Sequence, residues 1–137
     1  MSELMVWKPD FSVGVALMDV QHKKVFTIIN ELQDAVEQRR ASSVVAHALD
    51  EMTAYTQYHL REEERLLEQH GYPTLPEHRL KHEILTKRLL LFKKSYDEGQ
   101  TAIVPVSLLS FLQEWWTRHI LQIDMQYRDF FNQKGVR

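Results

Sequence analysis

Residues 45–70 read VAHALDEMTAYTQYHLREEERLLEQH, and the spacing inside this stretch decides the fold. Val45, Leu49, Met52, Thr56, His59, Glu63, Leu66 and His70 follow one another at alternating steps of three and four. That is the period of a helix with one face turned to a core. The seam starts apolar and then carries His59 and Glu63 where burial is expected. An ionisable group buried without a partner is costly, so the seam itself asks what these two side chains meet.

Three further segments repeat the rhythm on either side. The first runs through Met18, His22, Val25, Ile29, Leu32 and Val36. The third runs through Leu75, His78, His82, Leu85, Leu89, Phe92 and Tyr96, and the fourth begins Leu108, Leu112, Trp115, His119. Polar Arg39–Ser43 separates the first two, with Ser42 or Ser43 placed to cap the second. His70-Gly71-Tyr72-Pro73 reads as a glycine helix stop followed by a turn. Asp97-Glu98-Gly99-Gln100 ends the third segment, and Pro105 suits the first turn of the fourth. The expectation is a single domain over 1–137, with an extended arm at 1–17 and helices roughly at 18–38, 43–70, 75–97 and 106–132. Short connections favour antiparallel neighbours, so the fold class is all-α, an up-down-up-down four-helix bundle.

Composition removes several classes of function. Cysteine is absent, which excludes disulfides, thiolate zinc sites, iron–sulfur clusters and covalent haem attachment. A formal charge of −2 gives no general attraction to nucleic acid or anionic lipid. No apolar run approaches the ~18 residues of a membrane span. Residues 1–10 lack the pattern of a secretory signal, so the cytoplasm is the expected location.

Every segment places an ionisable group on its seam: His22 on the first, His59 and Glu63 on the second, His78 and His82 on the third, His119 on the fourth, with Asp124 beyond. Groups four apart on a helix lie ~40° apart in angle and ~6 Å apart along the axis, close enough to serve one metal or two adjacent ones. Taken singly, a seam histidine is more often a hydrogen-bonded core residue, and Glu62-Glu63-Glu64 reads as a solvated acidic face. The conjunction on four helices carries the metal reading. His47 lies off the seam and His70 abuts a helix end, so both are left out.

His119 and Asp124 are five apart, which on a regular helix separates them by ~140°. Tyr127 and Phe131 nevertheless resume the rhythm from Asp124, so the spacing predicts a π-type widening between His119 and Asp124. Two six-coordinate metals offer about 12 positions. Five imidazoles, two bridging carboxylates and one bridging hydroxide fill all but about one of them. Such a site has room for one small ligand.

These residues resemble the hemerythrin family over essentially the whole chain. The matching features are Trp7, Gly14, Asp19-x-x-His22, Asn30, His59-x-x-x-Glu63-Glu64, Gly71-Tyr72-Pro73, His78-x-x-x-His82 and Trp115-x-x-x-His119-Ile120-x-x-x-Asp124. The resemblance implies two iron ions with an oxo or hydroxo bridge. His78, His82 and His119 would hold one iron and His22 and His59 the other, with Glu63 and Asp124 bridging. O2 would bind reversibly at the two-histidine iron, with Trp115, Trp116 and Leu60 lining its pocket. Asp19 and Glu62 are the sequence-near candidates to support the ligating imidazoles.

Departures concentrate near that pocket. Leu60 stands where the family usually has Phe, and Leu67 where Met is common. Trp116 replaces a leucine, and it either turns inward, filling the pocket or offering its N–H to a ligand, or turns outward and packs. The resemblance implies an O2-binding monomer for carriage, storage or buffering, not an enzyme, whose client would be an unidentified O2-consuming protein. The competing readings are an O2, redox or nitric-oxide sensor, an iron-handling protein, or a weak di-iron oxidase or peroxidase. A ferritin-like carboxylate enzyme is disfavoured because no Glu-x-x-His occurs.

Overall fold

A computed structural model describes residues 3–137. Among the described residues there is no strand. Four long helices, α1 (Ala16–Glu37), α2 (Ser42–Gln69), α3 (Leu75–Asp97) and α4 (Ile103–Arg118), form the bundle. A π turn (His119–Ile123), a 3-10 turn (Asp124–Tyr127) and a short α5 (Arg128–Gln133) continue the fourth rod. Helix α1 packs on α2 and α4, and α3 packs on the same two, so α1/α3 and α2/α4 are the diagonals of an antiparallel square. The seams read from the sequence face inward. Met18, Val25, Ile29 and Leu32 meet Leu49, Met52, Leu85, Leu89, Leu108 and Leu112 in one apolar core. No helix among the described residues is long and apolar enough to cross a membrane.

The connections follow local chemistry. Helix α2 stops where Gly71 takes φ +74°, letting Tyr72 N–H reach the Leu67 carbonyl at 3.0 Å and Gly71 N–H the Glu68 carbonyl at 3.1 Å. This is the left-handed glycine cap expected there. The serine cap is not made: α2 begins at Ser42 after Ala41, with no side-chain capping bond. Helix α4 starts at Ile103, ahead of the expected 106, because Pro105 sits within the first turn, where its missing N–H costs nothing.

The arm is tied down rather than free, and it is not wholly extended, because Pro9–Phe11 form a 3-10 turn. Asn30 brackets Met5, accepting its N–H and donating to its carbonyl, both at 2.9 Å. Gln33 accepts the Leu4 N–H at 2.8 Å. Trp7 and Phe11 each meet Phe26 edge to face and lie tilted against each other beside the Pro9–Phe11 turn, which touches the π turn. Gly14 takes φ +70° in a place where a Cβ would lie 3.0 Å from Arg128 Cγ, so the arm turns into α1 directly against α5.

Candidate metal centre

All seven seam donors converge at mid-bundle. His22, His59, Glu63, His78, His82, His119 and Asp124 are each no more than 4% exposed. One ligand atom from each of Glu63, His78, His82, His119 and Asp124 can be chosen so that all lie within 4.8 Å of one another. His22, His59 and Glu63 form a second such group.

The carboxylates divide the histidines oxygen by oxygen. Glu63 Oε1 lies 2.8 Å from His78 Nε2 and 3.1 Å from His82 Nε2, while its Oε2 lies 3.4 Å from His59 Nε2 and 3.6 Å from His22 Nε2. Asp124 repeats the division, with Oδ1 at 3.1 Å from His78 and 3.0 Å from His119, and Oδ2 at 3.2 Å from His22. Taken over both carboxylates, three imidazoles (His78, His82 and His119) fall on the Oε1/Oδ1 side and two (His22 and His59) on the Oε2/Oδ2 side. Two cations bridged by two carboxylates need that division.

The hydrogen bonds behind the imidazoles sharpen this. His59 Nδ1 lies 2.7 Å from Gln21 Oε1, an acceptor, so Nδ1 carries the proton and Nε2 presents a lone pair. That lone pair points toward Glu63 Oε2 and has no hydrogen-bond partner. Two acceptors face each other across a gap that a cation would fill. His22 Nε2 and both Asp124 oxygens are likewise buried without an aligned hydrogen bond, although each lies within ion-pair distance of another donor of the site. The donor set therefore fits a metal pair.

Without metal, protons stand in. Burial alone would lower His22 and His78, but their contacts with Asp124 and Glu63 raise them, to about 9 and about 10. Burial keeps His59 below its ordinary value. Burial would raise Glu63, but His22, His59, His78 and His82 hold it well below the carboxylate range. Burial and the Glu63 charge would raise Asp124, but His119 and His22 override them and hold it low.

Asp124 reaches the site through a local change of helix. Its backbone N–H donates to the carbonyl of His119, five residues back, within the π turn. The extra residue brings Asp124 round to the side of His119, and their side chains meet at 3.0 Å. The widening expected from the spacing is present.

A family model described as "Hemerythrin HHE cation binding domain" matches residues 13–130. The chain belongs to the hemerythrin family. A bacteriohemerythrin of Stenotrophomonas maltophilia (strain R551-3) is 30% identical over 126 residues, covering 92% of this chain and 80% of that protein. A bacteriohemerythrin of Clostridium acetobutylicum is 30% identical over 130 residues, covering 92% of this chain and all of that protein. A crystal structure of wild-type hemerythrin superposes with a TM-score of 0.86 at 26% identity, covering 92% of this chain and 96% of the other. Structures of hemerythrin variants with one leucine replaced by tyrosine or alanine match at 0.87.

Within this hemerythrin fold, the supporting groups differ from the sequence expectation. Asp19 does not reach an imidazole; it accepts from Ser12 Oγ at 2.6 Å and Val13 N–H at 2.9 Å, fastening the arm to α1. Glu62 pairs with Arg65 at the surface. Their places are taken by Gln21 on His59 and by Glu64, whose Oε2 lies 2.9 Å from His82 Nδ1 and whose Oε1 accepts from Arg79. Glu64 stands beside Glu63 in the matched motif, though with no role read for it, and for Gln21 adjacency to His22 was the signal. Tyr127 was read only as a core position, yet its hydroxyl donates to Glu63 Oε2 at 2.9 Å.

The three pocket candidates separate in space. Trp116 turns inward and is fully buried, its ring centroid 5.8 Å from that of His59 and 6.2 Å from that of His22. Trp115 instead stacks flat on His119 at 4.2 Å and lines a surface groove of about 410 Å³ with Lys81 and Arg118. Leu60 borders a different groove beside His82. His47 is exposed, and His70 closes α2 with its Nδ1 2.9 Å from the Leu66 carbonyl.

Proposed function

We propose that this chain binds O2 reversibly at a di-iron centre held by His22, His59, Glu63, His78, His82, His119 and Asp124. The observation that carries the reading is that the two carboxylates together sort the imidazoles into a group of three, facing one oxygen of each, and a group of two, facing the other oxygens. His78, His82 and His119 would hold one iron, His22 and His59 the other, and Glu63 and Asp124 would bridge, with an oxo or hydroxo group completing the pair. A pair of ferrous ions supplies the two electrons and the open coordination position that reversible O2 binding requires. The half with fewer protein donors is that of His22 and His59, and these two residues would leave the iron they hold room for a small ligand.

The protein's own part is positional. Gln21 fixes the tautomer of His59, and Glu64, itself held by Arg79, orients His82. Tyr127 is buried, and burial together with the Glu63 charge raises its phenol well above the ordinary value. It therefore stays protonated and donates to Glu63 throughout the accessible pH range. Trp116, Met52, Leu85 and Leu112 close the surrounding core against water. Five neutral imidazoles and two carboxylates make a donor set poor in anions, which favours release of O2 over hard oxidation chemistry.

Anaerobic loading with ferrous ion tests the reading. The expected result is about two irons per chain, the number the donor count accommodates. Air should then produce a visible absorption band that bleaches when oxygen is removed. Absence of iron uptake, or a band that never bleaches, would overturn it.

A further inference from the structure

Apart from His22 Nδ1, the buried side-chain polar atoms that lack a hydrogen-bond partner among the described residues fall into two kinds. Nε2 of His22, Nε2 of His59 and both oxygens of Asp124 are atoms a metal would satisfy. Trp116 Nε1 and Thr56 Oγ1 are not, because an indole nitrogen has no free lone pair and a threonine hydroxyl is a weak neutral donor to iron. Both side chains are fully buried. A buried N–H left unpaired is strongly disfavoured, so the indole requires an acceptor that the polypeptide does not provide.

Their placement tells which acceptor. Trp116 lies three residues before His119 on α4, and Thr56 lies three residues before His59 on α2. These helices are parallel across a diagonal of the bundle, so both polar atoms occupy the layer next to the metal donors. Val25, Leu60, Leu85 and Leu112 belong to the same apolar core as Trp116. The Trp116 ring packs against the rings of His22 and His59, the half with three donors against five.

We propose that the Trp116 indole N–H is a hydrogen-bond donor to a small acceptor ligand, diatomic or triatomic, taken up at the His22/His59 half of the centre. This rests on the di-iron reading above. It makes Trp116 a specificity-determining residue, favouring ligands that carry negative charge on the atom facing the indole. A side chain acting only as a filler would exclude ligands by size and would not distinguish them by charge.

Azide added to the oxidised, iron-loaded protein is the probe. Trp116→Phe keeps an aromatic ring and removes the N–H, and should weaken azide binding roughly tenfold or more. Trp116→Leu should weaken it as well, although it opens space. If Trp116 is a filler, both variants bind azide as tightly as the parent or more tightly, and the proposal falls. A second measurement needs no variant: the azide stretching frequency in the parent should shift on exchange into D2O, and absence of a shift overturns the proposal. Normal iron content and a normal azide band with no dependence on Trp116 sink this inference alone. Failure of the parent to take up iron removes the di-iron reading and this inference together.

Discussion

The phenol of Tyr127 donates to Glu63 Oε2, the same carboxylate oxygen that faces His22 and His59. A residue of the 3-10 turn after the site thus fixes the orientation of a donor on α2. Tyr127→Phe removes that donor inside a sealed core. Unfolding of the metal-free protein by denaturant should show a loss of about 1–3 kcal/mol, while the iron-loaded variant keeps its metal. An unchanged midpoint would show that Glu63 does not depend on the phenol.

Among the described residues, Gln21 is the partner of His59 Nδ1, whereas Glu62 pairs with Arg65 and meets no imidazole. Gln21→Leu should therefore lower ferrous affinity about 10–100-fold, the usual effect of losing the group behind a ligating imidazole. Glu62→Gln should leave it unchanged. Competition with a metal-sensitive dye measures both, and equal affinities across the set would remove the role given to Gln21.

The seven side chains that the structure brings together, and the helices that bear them, were legible because they interrupt an apolar seam, as His59 and Glu63 do on α2. The π turn was legible because Tyr127 and Phe131 resume the rhythm after a skip of five. Gln21 and Glu64 were not, since a supporting hydrogen bond joins residues 38 and 18 apart in the chain, with no periodic trace. Trp115 and Trp116 are neighbours in sequence but ~100° apart around a helix. Only packing shows that one meets His119 and the other meets His22 and His59.

On the proposed di-iron reading, protons and metal compete for the same nitrogens. His22 and His78 are raised to about 9 and about 10 in the metal-free protein, so both carry protons at neutral pH and must lose them as metal enters. Ferrous affinity should rise with pH up to that range, with protons released on uptake; calorimetry in buffers of different ionisation heat measures the number released. The same shifts set metal-free stability. A pKa raised in the folded state stabilises fully below the unfolded value near 6.5 and loses that stabilisation as pH climbs through 9 to 10. Glu63 and Asp124, held low, contribute stability above their unfolded values and lose it in acid. The metal-free protein should be most stable between these limits, and a stability that grew from pH 7 to 10 would contradict the assignment.

Gly14 and Gly71 separate backbone strain from crowding. Both have positive φ, but a Cβ at Gly71 meets nothing within 4 Å, while one at Gly14 meets Arg128 and Asn132. Gly71→Ala should cost about 1 kcal/mol from the left-handed backbone alone. Gly14→Ala should cost more, about 2 kcal/mol, lowering the melting temperature by several degrees. Equal shifts in the two variants would show that α5 yields to the new methyl group.

The widened turn at His119–Ile123 has a consequence beyond Asp124. It works as a one-residue phase shift in the rod, so everything after it is rotated by ~100° from where an unbroken helix would point it. Tyr127 and Phe131, both fully buried, reach the interior only in the shifted phase. Deleting a single residue from Ile120 to Ile123 would swing the Asp124 carboxylate, the phenol and the terminal anchor to the outside at once. The placing of Asp124 among the histidines and the closure of the bundle end are thereby locked to one insertion, and neither can drift in the course of mutation without the other.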